Sequence, residues 1–531
     1  MSRIRTIFVS SYGWAALAAS LFLIVPGQAE AGATIRARTA SLVDVSSAIA
    51  LAADGDTVII PAGTVSWLSK LTITKGITLQ GATTVDTTGA GGPNVTGSAN
   101  DQTIILDNVV RDSGGNAPIV DITSTPTQSF RLSGITFRAG SLTTGTNNGA
   151  IRLHGLSTSV RLDHLHLDGL YQDAITNFDG ATGVIDHCLF DEKQRSLSVV
   201  NGAGTWGGAS NGDGSWADDA HWGTDKFMFI EDCIVNNYLS VQTNGAIDTI
   251  AGARYVARYN TLHNTFAYSH GTESGGRRRG SRAIEMYRNT FQLTFSAPAG
   301  SLRAGGLLLH DNNYVGSVTN PISVRVYREF DTFAVWGGAS GVNGWDNNDP
   351  ANPYVTGTVT SATAETMTDT SKNWAPNQWA GYILYNSTTT AVNRSSYIKS
   401  NTSNTITYAY DTTFGVNLHF NAGDGYAINK VLAALDQPGR GKGDLLTGYT
   451  PVNSVTGTVS WPHQALEPIY YWNNKLNGSN FPLTAADPTV REGIEFYNTP
   501  MPGYTPFTYP HPLVSGASTA PAPPQNLRTV P

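Results

Sequence analysis

The sequence predicts an all-β chain wound as a stack of parallel coils, and two features carry that expectation. First, seven short stretches superpose: residues 131–137, 161–167, 184–190, 229–235, 257–263, 286–291 and 309–314. With a one-residue gap in the sixth, they bring Gly134, His164, His187, Asp232, Asn260, Asn289 and Asn312 into one column, at spacings of 30, 23, 45, 28, 29 and 23 residues. Those spacings suit solenoid coils, one of them carrying an insertion. Second, charged residues make up only 14% of the chain while glycine reaches 56, against roughly 25% charge in an ordinary globular protein. Such a balance is rich in turns and hydroxyls. Stacked parallel coils put equivalent positions about 4.8 Å apart, so residues distant in sequence become rows on one face.

The elements follow in order. Residues 1–31 read as a secretory leader, with Arg3 and Arg5 at its start, an apolar run over 14–25 and a small-x-small site at Ala29-Glu30-Ala31. That run is too short to span a bilayer, and no later segment is apolar enough, so an exported protein with no membrane span is expected. Residues 41–53 predict a short helix, because Leu42, Val45, Ile49 and Leu51 fall near helical spacing before Asp54-Gly55-Asp56 stops it. It would cap the exposed end of the first coil. Alternating strands begin at Thr57 and Leu71, and the stack with its cap occupies 32–354. A loop over 202–223 interrupts it and carries Trp206, Trp216 and Trp222; so long a loop without periodicity is usually functional. Short Thr-, Ser- and Tyr-rich strands mark a small β insert at 355–427. Residues 428–513 return to the stack and close it, and the Pro-, Ala- and Ser-rich stretch 514–531 reads as a flexible tail.

A net charge of −7 argues against a nucleic-acid partner, whose phosphates call for the opposite sign. The two cysteines, Cys188 and Cys233, follow His187 and Asp232 in the alignment. They are expected to stack as buried thiols, since adjacent parallel strands offer poor disulfide geometry.

Three groups carry chemistry. The residues preceding the column run Ser133, Asp163, Asp186, Glu231, Tyr259, Arg288 and Asp311. Three acids one strand apart repel one another unless a cation shares them. Calcium fits that need, and a fan of carboxylates in water at the coil corner fits equally well. In the column itself, Asn260, Asn289 and Asn312 read as a hydrogen-bonded ladder, and His164 and His187 stay open. The densest cluster spans 270–285, with His270, Glu273, Arg277, Arg279, Arg282 and Glu285 among glycines. Arginines there, extended by Arg254 and Arg258 one coil earlier, suit an acidic sugar, because a guanidinium grips a carboxylate and stabilises developing negative charge. Trp222 and the other tryptophans (Trp206, Trp216, Trp336, Trp345, Trp461, Trp472) offer stacking platforms for sugar rings.

At Val184-Ile-Asp-His-Cys-Leu-Phe190 and Arg161-Leu-Asp-His-Leu165 the chain resembles the pectate lyase-like superfamily of right-handed parallel β-helix proteins. The stretches 270–291 and 502–513 look like those of bacterial β-helix proteins. The resemblance implies a right-handed parallel β-helix with a small β insert. It also implies a secreted lyase that cleaves a uronate-containing polysaccharide by β-elimination. Asp163, Asp186 and Glu231 would then hold Ca2+, and Arg258 or Arg282 would be the base. His270, Glu273 and Glu285 would aid positioning or the leaving group, and Arg254, Arg277, Arg279 and Trp222 would bind substrate. A clear counterpart of the family's arginine-proline motif is missing. A glycoside hydrolase using paired carboxylates, or a glycan-binding solenoid without catalysis, are the other readings.

Overall fold

The computed structural model describes residues 32–324, 355–515 and 527–529, apart from 112–117, 144–148, 195–199, 203–204, 208–211, 240–244, 272–278, 381, 390–394, 409–417, 430–435, 444–445, 448–451, 454–463 and 486–489. The leader, Glu273, Arg277, Trp336, Trp345 and Trp461 therefore lie outside the described residues. Successive strands are dealt in rotation to three long sheets. Ser159–Asp163 enters the first sheet, His166–Asp168 the second and Ile175–Asn177 the third, and Gly183–Asp186 returns to the first. The sheets hold 13, 11 and 9 strands among the described residues, and the pairings in the run of coils are parallel, with the first sheet in register throughout and a shift between Leu293 and Ala297 on the second. The chain is thus all-β with long parallel sheets, compatible with a β-helix solenoid.

Alternation builds the core. On the first sheet Leu162, Ile185, Ile230, Ala257, Met286 and Leu309 point inward and are buried in one continuous cluster. Removing that apolar surface from water is the main force stacking one coil on the next. At the N-terminal end, the helix Leu42–Leu51 buries Val45, Ala48 and Ile49, and the Ser41 hydroxyl caps it by accepting from the Asp44 amide. A helix thus stands where the sequence predicts one.

The turn from the first sheet to the second is made by one residue in the left-handed conformation. Gly134, His164, His187, Asp232, Tyr259, Arg288, Asp311 and Asn473 all have φ between 50° and 67°. Gly134 suits its place because a β-carbon there would lie 2.9 Å from the Gly81 carbonyl oxygen. This column corrects the alignment read from the sequence, which slips by one residue from Asn260 onward. Asparagine tolerates a left-handed turn, so it mimics the turn residue; here Tyr259, Arg288 and Asp311 make the turn, and the asparagine follows it.

The asparagines form the expected ladder, pointing inward. Asn260 Nδ2 donates to Asn289 Oδ1 at 3.0 Å, Asn289 to Asn312 at 3.0 Å, and Asn312 to Asn474 at 2.9 Å. Each also donates to a main-chain carbonyl of its neighbourhood. Asn289→Ala strands buried partners on both sides, so a loss of about 1–3 kcal/mol is expected in denaturant unfolding. Cys188 and Cys233 are free, buried and adjacent, as anticipated.

The insert forms a separate seven-stranded antiparallel sheet running from Val355–Thr358 to Gly425–Asn429, with its own core around Met367, Trp374, Trp379, Tyr408 and Tyr426. Beyond it, Ile469–Trp472 pairs with Gly306–His310 and restores the parallel stack. The tail departs from the sequence reading: Leu527–Thr529 is a strand paired with Thr34–Arg36 at one edge of the first sheet. Its alternating Leu-Arg-Thr is too short to stand out from the Pro-rich stretch before it.

Candidate functional site

The outward face of the first sheet carries the row Ser133, Asp163, Asp186, Glu231, Arg258, Tyr287, His310 and Trp472, in register from strand to strand. The three acids are stacked as expected. Their counter-charges, however, come from arginines. Asp163 accepts from Arg131 Nε at 2.6 Å and Nη2 at 2.8 Å, from Ser133 Oγ at 2.8 Å, and it bonds the His164 ring. Asp186 receives both arms of Arg161 at 2.9 Å. Glu231 binds Arg258 at 2.6 Å and the His511 amide at 2.8 Å. All three carboxylates are fully buried.

A calcium ion needs six to eight oxygens at about 2.3–2.6 Å. Here every acid oxygen already faces a donor, so the row does not fit Ca2+. Chelation with EDTA is accordingly expected to leave the melting temperature unchanged, as read by calorimetry. Acid should act instead. Burial works against the charge on Asp163, but Arg131 and His164 outweigh it and hold its carboxyl far below the ordinary 3.8. Its folded pKa is depressed, so its stabilisation is present above about pH 3.8 and is lost as pH falls further. A melting series through that range should show the loss, and Asp163→Asn should flatten the slope.

The arginines assigned to a binding groove are structural. A C-terminal strap, residues 501–515, lies over the ion row. Arg258 is fully buried and donates to Glu231, the Tyr287 hydroxyl and the carbonyls of Phe507 and Thr508. Arg282 grips Glu467 at 2.6 and 2.9 Å, and Arg279 pairs with Asp436 at 2.7 Å. The guanidiniums of Arg279 and Arg282 lie over the Trp216 ring, at 5.1 and 5.3 Å respectively. Arg254 donates to Ser215 and to the carbonyls of Asp219 and Ala220; burial, with Arg282 beside it, lowers its pKa to about 10. These side chains clamp the 213–220 loop onto the stack, so they correct the expectation of an open cationic groove.

Glu285 is likewise buried, bonded to the Gly223 amide and to the Tyr504 hydroxyl, and burial raises its pKa. Trp222 packs against Phe227 beside Gly306. His270 sits apart, just past the third-sheet strand Ala267–Ser269 and 2.8 Å from Asp248. Thus Arg258 and Glu285 share the strap, Arg254, Arg279 and Arg282 share the loop, and His270 joins neither.

What opens to solvent is the left-handed column. Two Asp-His doublets, 163–164 and 186–187, repeat one geometry: the buried carboxylate lies 2.8 Å from Nδ1 of the next residue's ring. The two imidazoles stack at 5.2 Å, and each is about a third exposed. Neither Nε2 has a hydrogen-bond partner among the described residues. Both rings line a polar cleft of about 440 Å³ together with Asp232, Tyr509 and the turn 85–90. The hydrogen bond to Asp186 raises the pKa of His187, while burial raises that of Asp232, which accepts from the Tyr509 hydroxyl at 2.9 Å.

The cleft walls come from distant sequence. One is the hairpin 84–100, which packs Val85, Val95 and Ala99 on Leu189 and Ile234 and ties itself to His263 and Gln292. The other is the strap, through Tyr509. Sequence reasoning singled out the two histidines and Asp232 without placing them in a site, and it missed Tyr509 and the hairpin. The repeated Asp-His doublet was the available signal.

A second polar group lies on the second sheet, where ligand atoms of Asp101, His166 and Asp168 come within 4.8 Å of one another. Arg138 bridges the two aspartates and Lys193 pairs with Asp168, so its charge is balanced within the protein. No protein-family profile, curated protein or solved structure matches the chain.

Proposed function

We propose that the protein is an exported polysaccharide-degrading enzyme, a lyase that cleaves a uronate-containing chain by β-elimination on a right-handed parallel β-helix like that of the pectate lyase superfamily. The observation that carries this reading is the pair of aspartate-held imidazoles in line with Asp232 along the floor of one polar cleft. A carboxylate on Nδ1 fixes the ring tautomer and turns Nε2 to the substrate.

β-Elimination needs three things: neutralisation of the uronate carboxylate, removal of the C5 proton, and protonation of the departing oxygen. The first requires His164 as the imidazolium, with Nδ1–H on Asp163 and Nε2–H on the uronate carboxylate. Asp232 takes the C5 proton as the C4–C5 double bond forms and the C4–O bond breaks. His187, biased toward its protonated form, gives its proton to the leaving oxygen. Solvent exchange then returns the proton from Asp232 to His187. Groups whose environments set them up as opposite proton partners are what such chemistry requires.

Incubation with pectate, alginate and related polyuronates, followed by ultraviolet absorbance of the unsaturated product, tests the reading. A full panel without signal, with the folded protein verified, removes it. Asp86 also lines the cleft, which favours a hydrolase as the second reading: two carboxylates, and new reducing ends without an unsaturated product. Retention of glycan without turnover would instead mark a binding protein.

A further inference from the structure

The floor of the cleft is short. Among the described residues only His164, His187 and Asp232, on three adjacent coils, line it, a run of two strand spacings or about 10 Å. The column continues in both directions, but the protein covers it at each end.

At the first end, the segment 81–83 lies across the next turn. The Thr83 amide donates to the Gly134 carbonyl at 2.9 Å, the Gly81 amide donates to Ser133 at 2.9 Å, and even a β-carbon on Gly134 would meet the Gly81 and Thr83 carbonyls. At the other end, the Tyr509 ring stacks on Tyr259 at 3.8 Å, and Arg288 donates to the Tyr259 hydroxyl at 2.5 Å. The hairpin tip closes over the same turn. A β-carbon on Gly91 would lie 3.2 Å from both Tyr259 Cα and the Arg288 carbonyl, and the Gly91 amide and carbonyl bond Thr261 and Thr290 at 3.0 and 2.6 Å.

We infer that the cleft receives the end of an acidic saccharide chain, one or two rings deep, and excludes the middle of a polymer. A polymer lying along the column would have to pass through main chain at Gly81–Thr83 or through the Tyr259–Tyr509 stack. A terminal uronate has no such obstacle, and its carboxylate meets Nε2 of His164 on the floor. For its chemistry the inference rests on the lyase reading; the length of the site rests on the walls alone.

The test uses the full chain with polyuronates, with di- and trisaccharide uronides, and with the same oligomers and polymers blocked at both ends. Expected are mono- and disaccharide products from the earliest time point, slow loss of polymer viscosity and no attack on blocked chains. Early release of long fragments with rapid loss of viscosity would overturn the inference while leaving the lyase reading intact. If no probe yields unsaturated product, the lyase reading fails separately, and the imidazole NMR signals of His164 and His187 decide the length question. Shifts produced by short uronides at concentrations about tenfold below those needed for blocked ones, a difference of about 1.4 kcal/mol, support the inference. An equal response, or none, overturns it.

Discussion

Arg258→Ala is expected to destabilise the protein by about 3–5 kcal/mol, the range for removing one partner of a buried ion pair. The guanidinium serves two structures at once. It neutralises Glu231, whose pKa burial already pushes upward, and it holds the strap through the carbonyls of Phe507 and Thr508. Its face also packs against Phe229 at 4.7 Å. Lysine would keep the charge but not the fork geometry that reaches Glu231, Tyr287 and two carbonyls together, so Arg258→Lys should recover only part of the loss. Urea unfolding of the three proteins measures both effects. If Arg258 were the exposed base of a lyase, its replacement would abolish turnover with little change in stability, which is the opposite outcome.

His187→Ala is expected to lower kcat by about 10²–10⁴-fold, the usual contribution of a positioned acid or base, with a small change in melting temperature. The ring is partly exposed, and Asp186 keeps both arms of Arg161 when the imidazole is gone. Asp186→Asn should slow turnover as well, since an amide can present its NH2 to Nδ1 and favour the wrong tautomer. That variant should in addition lose stability, because Arg161 then faces a neutral partner in a buried position. Rates with the most active polyuronate, set beside calorimetric melts, separate a chemical role from a structural one.

The stack was legible because its signal repeats: inward Leu162, Ile185, Ile230 and Met286 recur coil after coil, and the acids before His164, His187 and Asp232 share one row. The register slip at Asn260 shows the limit of such reading. Asparagine suits both a left-handed turn and an inward ladder, and only the backbone tells which position it holds. The arginine cluster misled for a different reason. Its acceptors lie far along the chain, Asp436 and Glu467 for Arg279 and Arg282, and residues 507 and 508 for Arg258. Sequence shows a concentration of charge but not the carbonyls and carboxylates that consume it. The cleft was hidden in the same way, since the 84–100 hairpin and Tyr509 reach it across separations of more than 60 residues.

A crystal structure with a short uronide soaked into the intact protein tests the central claim most directly. The account predicts density between the 85–90 turn and Tyr509, with a carboxylate within hydrogen-bond reach of Nε2 of His164 or His187. Density lying instead along the third sheet beside His270 and Asp248, with the cleft empty, would contradict it.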